Sequence, residues 1–172
     1  ALEEYLALAD THYRMAQVEP AIEAYTQALR LTGRVAGREA AEARIQHLLG
    51  DICVQSMDWG RARKAYQRIV ALNPNDTLAR QRLIELTLKT GDRQAGLTHL
   101  DELTRQLAGR GAGAEAAGFL RELSQTYAKD LELHRRLAQA GQTLSLNDVS
   151  IAALNALGEL QLDSAKWDDA AE

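Results

Sequence analysis

The chain has 172 residues, of which 46% are hydrophobic and 26% charged, and its formal net charge is −4. This composition is typical of one folded domain or one short repeat array, and it excludes a disordered chain. No run approaches about eighteen consecutive apolar residues and no signal-peptide pattern opens the chain, so the sequence predicts neither a membrane segment nor a secretory route. The acidic balance argues against a general nucleic-acid binder, which needs concentrated positive charge.

The cysteine and proline content narrows the fold and the compartment. Cys53 is the one cysteine, so no internal disulfide can form and no second thiol suggests a metal site or a redox pair. We therefore expect a cytoplasmic protein. Only Pro20 and Pro74 interrupt the chain, and no alternating run rich in β-branched residues predicts a strand.

Apolar residues at three- and four-residue spacing predict a first helix from Leu2, which the Val18-Glu19-Pro20 segment interrupts. A second helix ends at Gly33, and Pro20 suits its first turn, where a missing N–H costs nothing. Asp76 or Thr77 is predicted to cap the fifth helix. The pattern predicts ten helices in all, the later ones at about 38–57, 59–72, 77–90, 94–109, 114–129, 131–144, 149–163 and from 167 onward.

One spacing of small and bulky residues occurs on two of these helices. It is formed by Ala21, Tyr25 and Ala28, and again by Ala62, Tyr66 and Ile69. Small residues there allow two helices to approach closely, and the aromatic ring fills the gap to the next pair. An internal repeat of this kind is typical of stacked helical hairpins.

These residues resemble the tetratricopeptide repeat (TPR) family, with the fullest match at Leu49, Gly50, Ala62, Tyr66 and Pro74. The resemblance implies an all-α fold, a right-handed α-solenoid of stacked antiparallel helix hairpins. It covers the whole chain as a single domain, which we expect to be a fragment of a longer protein. The expected units are 2–35, 43–76 and 77–110, followed by irregular hairpins at 111–147 and 148–172. Whether the helices near 94–109 and 149–163 each serve two hairpins stays open at this point.

The resemblance also implies a concave groove lined by the first helix of each unit, which would bind a protein or a peptide. The groove positions carried over to this chain are Glu3, Leu6, Asp10, Tyr13, Arg14, Arg44, His47, Asp51, Val54, Gln55, Leu78, Gln81, Glu85, Leu88 and Lys89.

One equivalent groove position is acidic in all three units, as Asp10, Asp51 and Glu85. Stacked carboxylates would favour a partner segment that carries lysine or arginine. The alternative is that these residues are only solvated surface charges.

No pattern in the sequence points to catalysis. The Gly109-Arg110-Gly111 segment lacks the strand and the lysine of a phosphate-binding loop, and no two histidines have the spacing of a metal site. We expect no enzyme activity, no cofactor and no metal. The predicted function is a protein-interaction scaffold; the alternative is a self-association or regulatory module of a larger protein, acting through an open terminal hairpin.

Overall fold

The computed structural model describes residues 1–33 and 37–171, with side chains described as far as residue 163. These residues form nine α-helices and one short 3₁₀ helix, and they contain no strand, which confirms the predicted all-α class. The α-helices are α1 (Leu2–Arg14), α2 (Val18–Thr32), α3 (Arg38–Gln55), α4 (Trp59–Leu72), α5 (Thr77–Lys89), α6 (Arg93–Arg110), α7 (Ala117–Thr126), α8 (Leu131–Thr143) and α9 (Asn147–Ala171). No helix in this part of the chain is long and apolar enough to cross a membrane.

Local sequence explains where several helices begin. Asp58, Asp76 and Asp130 are the N-caps of α4, α5 and α8, and each carboxylate accepts a hydrogen bond from the backbone N–H three residues ahead, at 2.9, 2.9 and 2.8 Å. Such a cap satisfies an N–H that has no partner inside the helix. The cap at Asp76 is one of the two that the sequence predicted. Pro20 lies in the first turn of α2, also as predicted.

The described chain forms two compact units, one from Ala1 to Gly96 and one from Leu97 onward. In the first unit α1 pairs with α2 and α3 pairs with α4, while α2 packs on α3 and α4 on α5. Ala21, Ala62 and Tyr66 have no exposed surface. The small residues therefore lie where paired helices meet, and the tyrosine ring fills the space beside them.

In the second unit α8 packs along α9. The two helices approach closely at Gly141, where an added Cβ would lie 2.7 Å from the backbone nitrogen of Ser150. Six leucines of this unit are fully buried or nearly so, namely Leu100, Leu103, Leu107, Leu120, Leu133 and Leu137.

Two predicted boundaries were wrong. A break near residues 163–167 was expected, but α9 continues from Asn147 to Ala171, because Asp163 and Ser164 are poor helix formers yet neither breaks a helix as proline does. The helix expected from residue 114 begins as a 3₁₀ turn, Gly113–Ala116, before α7. Short 3₁₀ turns of this kind are common at helix N-termini.

Candidate functional site

A cleft of about 450 Å³ opens in the first unit between α1, α3 and α5, with α2 at its base. We refer to it as the α1–α3 cleft. Its lining residues are Asp10, Tyr13, Tyr25, Leu48, Asp51, Ile52, Val54, Gln55 and Arg82. The volume is sufficient for one or two side chains of a partner.

One hydrogen bond and one ion pair fix side chains on the α1 side of the cleft. The hydroxyl of Tyr13 donates to Oε1 of Gln55 at 2.6 Å and so joins α1 to α3. One turn earlier on α1, the carboxylate of Asp10 pairs with Nη2 of Arg14 at 2.8 Å. The Asp10 side chain nevertheless keeps half of its surface exposed.

The hydroxyl of Tyr25 is an unused polar group at the base of the cleft. The ring is buried, and the hydroxyl makes no hydrogen bond with any residue that the structure describes. Burial raises the pKa of this phenol, and the negative charge of Asp10 raises it further. Tyr25 is therefore a neutral hydroxyl near a carboxylate, able to donate to a ligand.

Tyr66 holds the second carboxylate of the cleft. Its buried hydroxyl donates to Oδ1 of Asp51 at 2.6 Å. Burial, followed by this hydrogen bond, raises the pKa of Tyr66 far above its usual value. The phenol stays protonated and fixes Asp51, whose other oxygen makes no hydrogen bond in the described part of the chain.

Arg82 contributes the positive charge of the lining. Its Nη1 donates to Oε2 of Glu85 at 2.9 Å, and this hydrogen bond raises the pKa of the guanidinium. The lining thus carries Asp10 and Asp51 against one arginine that already has a carboxylate partner on its own helix. The arrangement can attract a cation and can accept hydrogen bonds from it.

The structure brings five of the predicted groove residues together in this cleft: Asp10, Tyr13, Asp51, Val54 and Gln55. Three others act on lining residues, two of them by direct ion pairs. Arg14 pairs with Asp10, Glu85 pairs with Arg82, and Arg44 is an exposed residue whose charge acts on Tyr25.

The remaining predicted residues on α1 and α3 lie elsewhere. Glu3 is exposed and Leu6 packs against the core of the first unit. His47 bonds through Nε2 to Oδ2 of Asp76 at 2.9 Å, and its ring contacts the Tyr66 ring edge-on.

On α5 the predicted residues divide between surface and interior. Leu78 is exposed and Gln81 is half-buried. Leu88 is buried where Gly96 comes close, and Nζ of Lys89 lies 4.2 Å from the centre of the Trp59 ring. Neither Leu88 nor Lys89 lines the cleft.

Four lining residues were not predicted: Tyr25, Leu48, Ile52 and Arg82. Ile52 and Leu48 lie one and two helical turns before Gln55 on α3, so a search at three- and four-residue spacing along that helix would have found both. Tyr25 was assigned to packing alone, although its hydroxyl end also reaches the cleft. Arg82 lies on α5 one turn after Leu78, the first predicted groove residue of that helix.

Cys53 lies in surroundings that make its thiol unreactive. The residue is buried in the core of the first unit. Burial raises the pKa of the thiol to about 11, and the charge of Asp58 acts in the same direction. At neutral pH the sulfur therefore stays protonated and is a poor nucleophile.

Comparison with known proteins identifies one family segment and one fold. Residues 43–86 match the family model described as "Tetratricopeptide repeat". The crystal structure of the MamA protein is similar, with a TM-score of 0.52 and 14% identity, over 96% of this chain and 94% of that one. A tetratricopeptide repeat protein from Parabacteroides merdae has a TM-score of 0.50 and 15% identity, over 91% of this chain and 65% of that one. No curated protein sequence gave a significant match.

Proposed function

Since the resemblance to the tetratricopeptide repeat family is confirmed by residues 43–86 and by the fold, we propose that this chain is a protein-interaction scaffold that binds a peptide segment in the α1–α3 cleft. The proposal assigns binding without a catalytic step. We also propose that the protein is cytoplasmic, because the single thiol Cys53 would stay reduced there.

The observation that carries the proposal is the pair of carboxylates in one cleft with two tyrosines. Asp10 and Asp51 line the same opening as Tyr13 and Tyr25. A lysine or arginine side chain would gain a charge-assisted hydrogen bond to a carboxylate and a cation–π contact with an aromatic face. We therefore propose that the partner segment carries a basic residue.

Apolar lining residues would contact the peptide residues on either side of that lysine or arginine. Leu48, Ile52 and Val54 contribute aliphatic surface beside the two carboxylates. Peptide recognition by a preformed surface commonly combines such apolar contact with a few polar anchors. The preferred segment would thus have an apolar residue next to the lysine or arginine.

Fluorescence anisotropy with labelled hexalysine tests this proposal, with hexaglutamine as the uncharged peptide of equal length. We expect the protein to bind hexalysine, and we expect the Asp51→Asn substitution to weaken binding by about fivefold, close to 1 kcal/mol. Asparagine keeps an acceptor for Tyr66, so the fold should survive. Glu23→Gln is the matched control, because Glu23 is an exposed residue of α2 outside the cleft.

Two outcomes would refute the basic-peptide proposal. One is equal binding of hexalysine and hexaglutamine by the unmodified protein. The other is an equal loss of affinity in Glu23→Gln and Asp51→Asn, which would indicate attraction by overall charge and not by the cleft.

A second candidate function, self-association, is favoured by one face of α9. Ile151, Leu154 and Leu162 are large apolar residues that remain 57%, 48% and 63% exposed. Their spacing places them on one side of the helix. We propose that this face contacts a second copy; light scattering across concentration should then show a dimer that the Leu154→Asp substitution dissociates, whereas a monomer at every concentration excludes it.

A further inference from the structure

A second cleft, of about 280 Å³, lies within the second unit between α6 and α8. We refer to it as the α6–α8 cleft, and none of its residues was among the predicted binding residues. The lining consists of Asp101, Thr104, Arg105, Ala108, Arg136, Gln139, Ala140 and Thr143. We propose that this cleft binds an acidic peptide segment through an aspartate or glutamate side chain.

Arg136 is held in place by carboxylates on two helices. Its Nη1 donates to Oδ2 of Asp101 on α6 at 2.6 Å, and its Nε donates to Oε1 of Glu132 on α8 at 3.2 Å. These contacts fix the guanidinium plane before any ligand arrives. Nη2 is not used in either contact and is the nitrogen that a ligand oxygen could reach.

Arg105 is the free cation of the cleft. It is exposed on α6 and forms no ion pair or hydrogen bond with any residue that the structure describes. An arginine kept without a carboxylate partner beside a polar cleft can form a two-pronged contact with an incoming carboxylate. A second donor, the amide of Gln139, is likewise unbonded within the described residues.

The two threonines of the lining add no further donor to Arg105, Gln139 and Nη2 of Arg136. The hydroxyl of Thr104 donates to the carbonyl of Leu100, and that of Thr143 donates to the carbonyl of Gln139, each at 2.9 Å. Both threonine donors are therefore used by their own helices. A ligand carboxylate would therefore take its hydrogen bonds from the arginine and glutamine side chains and not from the threonines.

Charge and size favour a single acidic side chain. The lining contains Arg105 and Arg136 against Asp101, a formal charge of +1, whereas the α1–α3 cleft contains Asp10 and Asp51 against one arginine. The volume is at or below the low end for small-molecule sites, which favours one side chain over a larger ligand. Small residues at Ala108 and Ala140 leave room for the peptide backbone.

The test is fluorescence anisotropy of the whole chain with labelled hexaglutamate, compared with labelled hexaglutamine. At low salt we expect hexaglutamate to bind more tightly than hexaglutamine. We expect the Arg105→Glu substitution to weaken the binding of hexaglutamate by about tenfold. Since Arg105 has no partner among the described residues, thermal unfolding of the variant should be unchanged. The neutral variant Arg105→Gln is matched by the control Lys64→Gln, because Lys64 is exposed on α4 and far in sequence from this cleft.

The outcomes separate this proposal from the function proposed for the α1–α3 cleft. Hexalysine binding should be the same in Arg105→Glu as in the unmodified protein, and free glutamate at millimolar concentration should not displace hexaglutamate. The proposal is overturned if hexaglutamate binds no better than hexaglutamine or if Arg105→Glu binds it normally. Equal losses in Lys64→Gln and Arg105→Gln, or displacement by free glutamate, would also overturn it.

Discussion

The ring of Tyr66 lies directly against the backbone of α3 at Gly50. A Cβ added to Gly50 would stand 2.6 Å from Cζ of that ring, closer than carbon atoms approach without a shift. The ring cannot easily retreat, because Tyr66 is fully buried and its hydroxyl bonds to Asp51. The contact therefore requires glycine and couples the hairpin of α3 and α4 to the wall of the cleft.

The Gly50→Ala substitution should destabilise the protein by about 1–3 kcal/mol, because the extra methyl group overpacks this contact. Urea denaturation followed by circular dichroism measures the change. Gly118→Ala is the control: Gly118 is an exposed residue of α7, and an added methyl group there would meet no neighbouring atom within 4 Å. Alanine there should stabilise by about 0.5–1 kcal/mol, since glycine is the poorer helix former. Equal effects at the two positions would contradict the packing account.

Removing the Tyr66 hydroxyl should cost more than removing the hydroxyl of Tyr13, although both bonds are 2.6 Å long. Tyr66→Phe leaves the ring against Gly50 but removes a partly buried hydrogen bond to a charged group, worth about 1.5–3 kcal/mol. Tyr13→Phe removes a bond at an exposed residue, and we expect a change within about 0.5 kcal/mol. Chemical denaturation of the two variants gives the comparison, and similar losses would be inconsistent with it.

Asp76 has two roles that two substitutions can separate. It caps α5 by accepting from the N–H of Ala79, and it pairs with His47 on α3. Asp76→Ala should lose both contacts and destabilise by about 1–2 kcal/mol. Asp76→Asn keeps a capping oxygen and should lose only a part of that stability. Thermal unfolding at fixed pH would rank them, and an asparagine variant as unstable as the alanine one would argue against the capping role.

Stability should fall as the pH rises above 9 because of Cys53. Burial raises its folded-state pKa to about 11 from an ordinary 9.0, so the unfolded chain loses this proton first. Between these two values the folded state binds more protons, and rising pH therefore favours unfolding. The measurement is urea denaturation at a series of pH values.

Cys53→Ala provides the matched comparison for that series. Tyr25 and Tyr66 also have raised pKa values, but they are present in both proteins. The difference between the two curves therefore isolates the thiol. We expect the alanine variant to lose less stability over this range, and parallel curves would show that Cys53 does not contribute.

The helices were largely predictable from the sequence because their determinants are local. Asp58 and Asp76 mark helix starts through contacts three residues away, and the spacing of Ala62 and Tyr66 fixes the buried face of α4. The error at α9 has a physical origin as well. Turn propensity at Asp163 is a small effect that neighbouring helix formers outweigh, so propensity alone could not locate the end of the helix.

The cleft was less predictable because its lining depends on packing between helices. Position along α1 placed Asp10 and Tyr13 on one face, and both line the α1–α3 cleft, whereas Leu88 and Lys89 on α5, which the same reasoning assigned to the groove, do not line it. Leu88 is instead buried near Gly96, and Lys89 lies over Trp59. Periodicity gives the face of a helix but not the width of the space that its neighbours leave open.

The charged groups around the α1–α3 cleft are already matched to one another before a partner arrives. Arg14 occupies Asp10, Tyr66 occupies one oxygen of Asp51, and Glu85 occupies Arg82. At Asp10 an incoming cation would exchange one ion pair for another, so the net gain there is a small difference between similar energies. A basic peptide bound in this cleft should therefore dissociate rapidly.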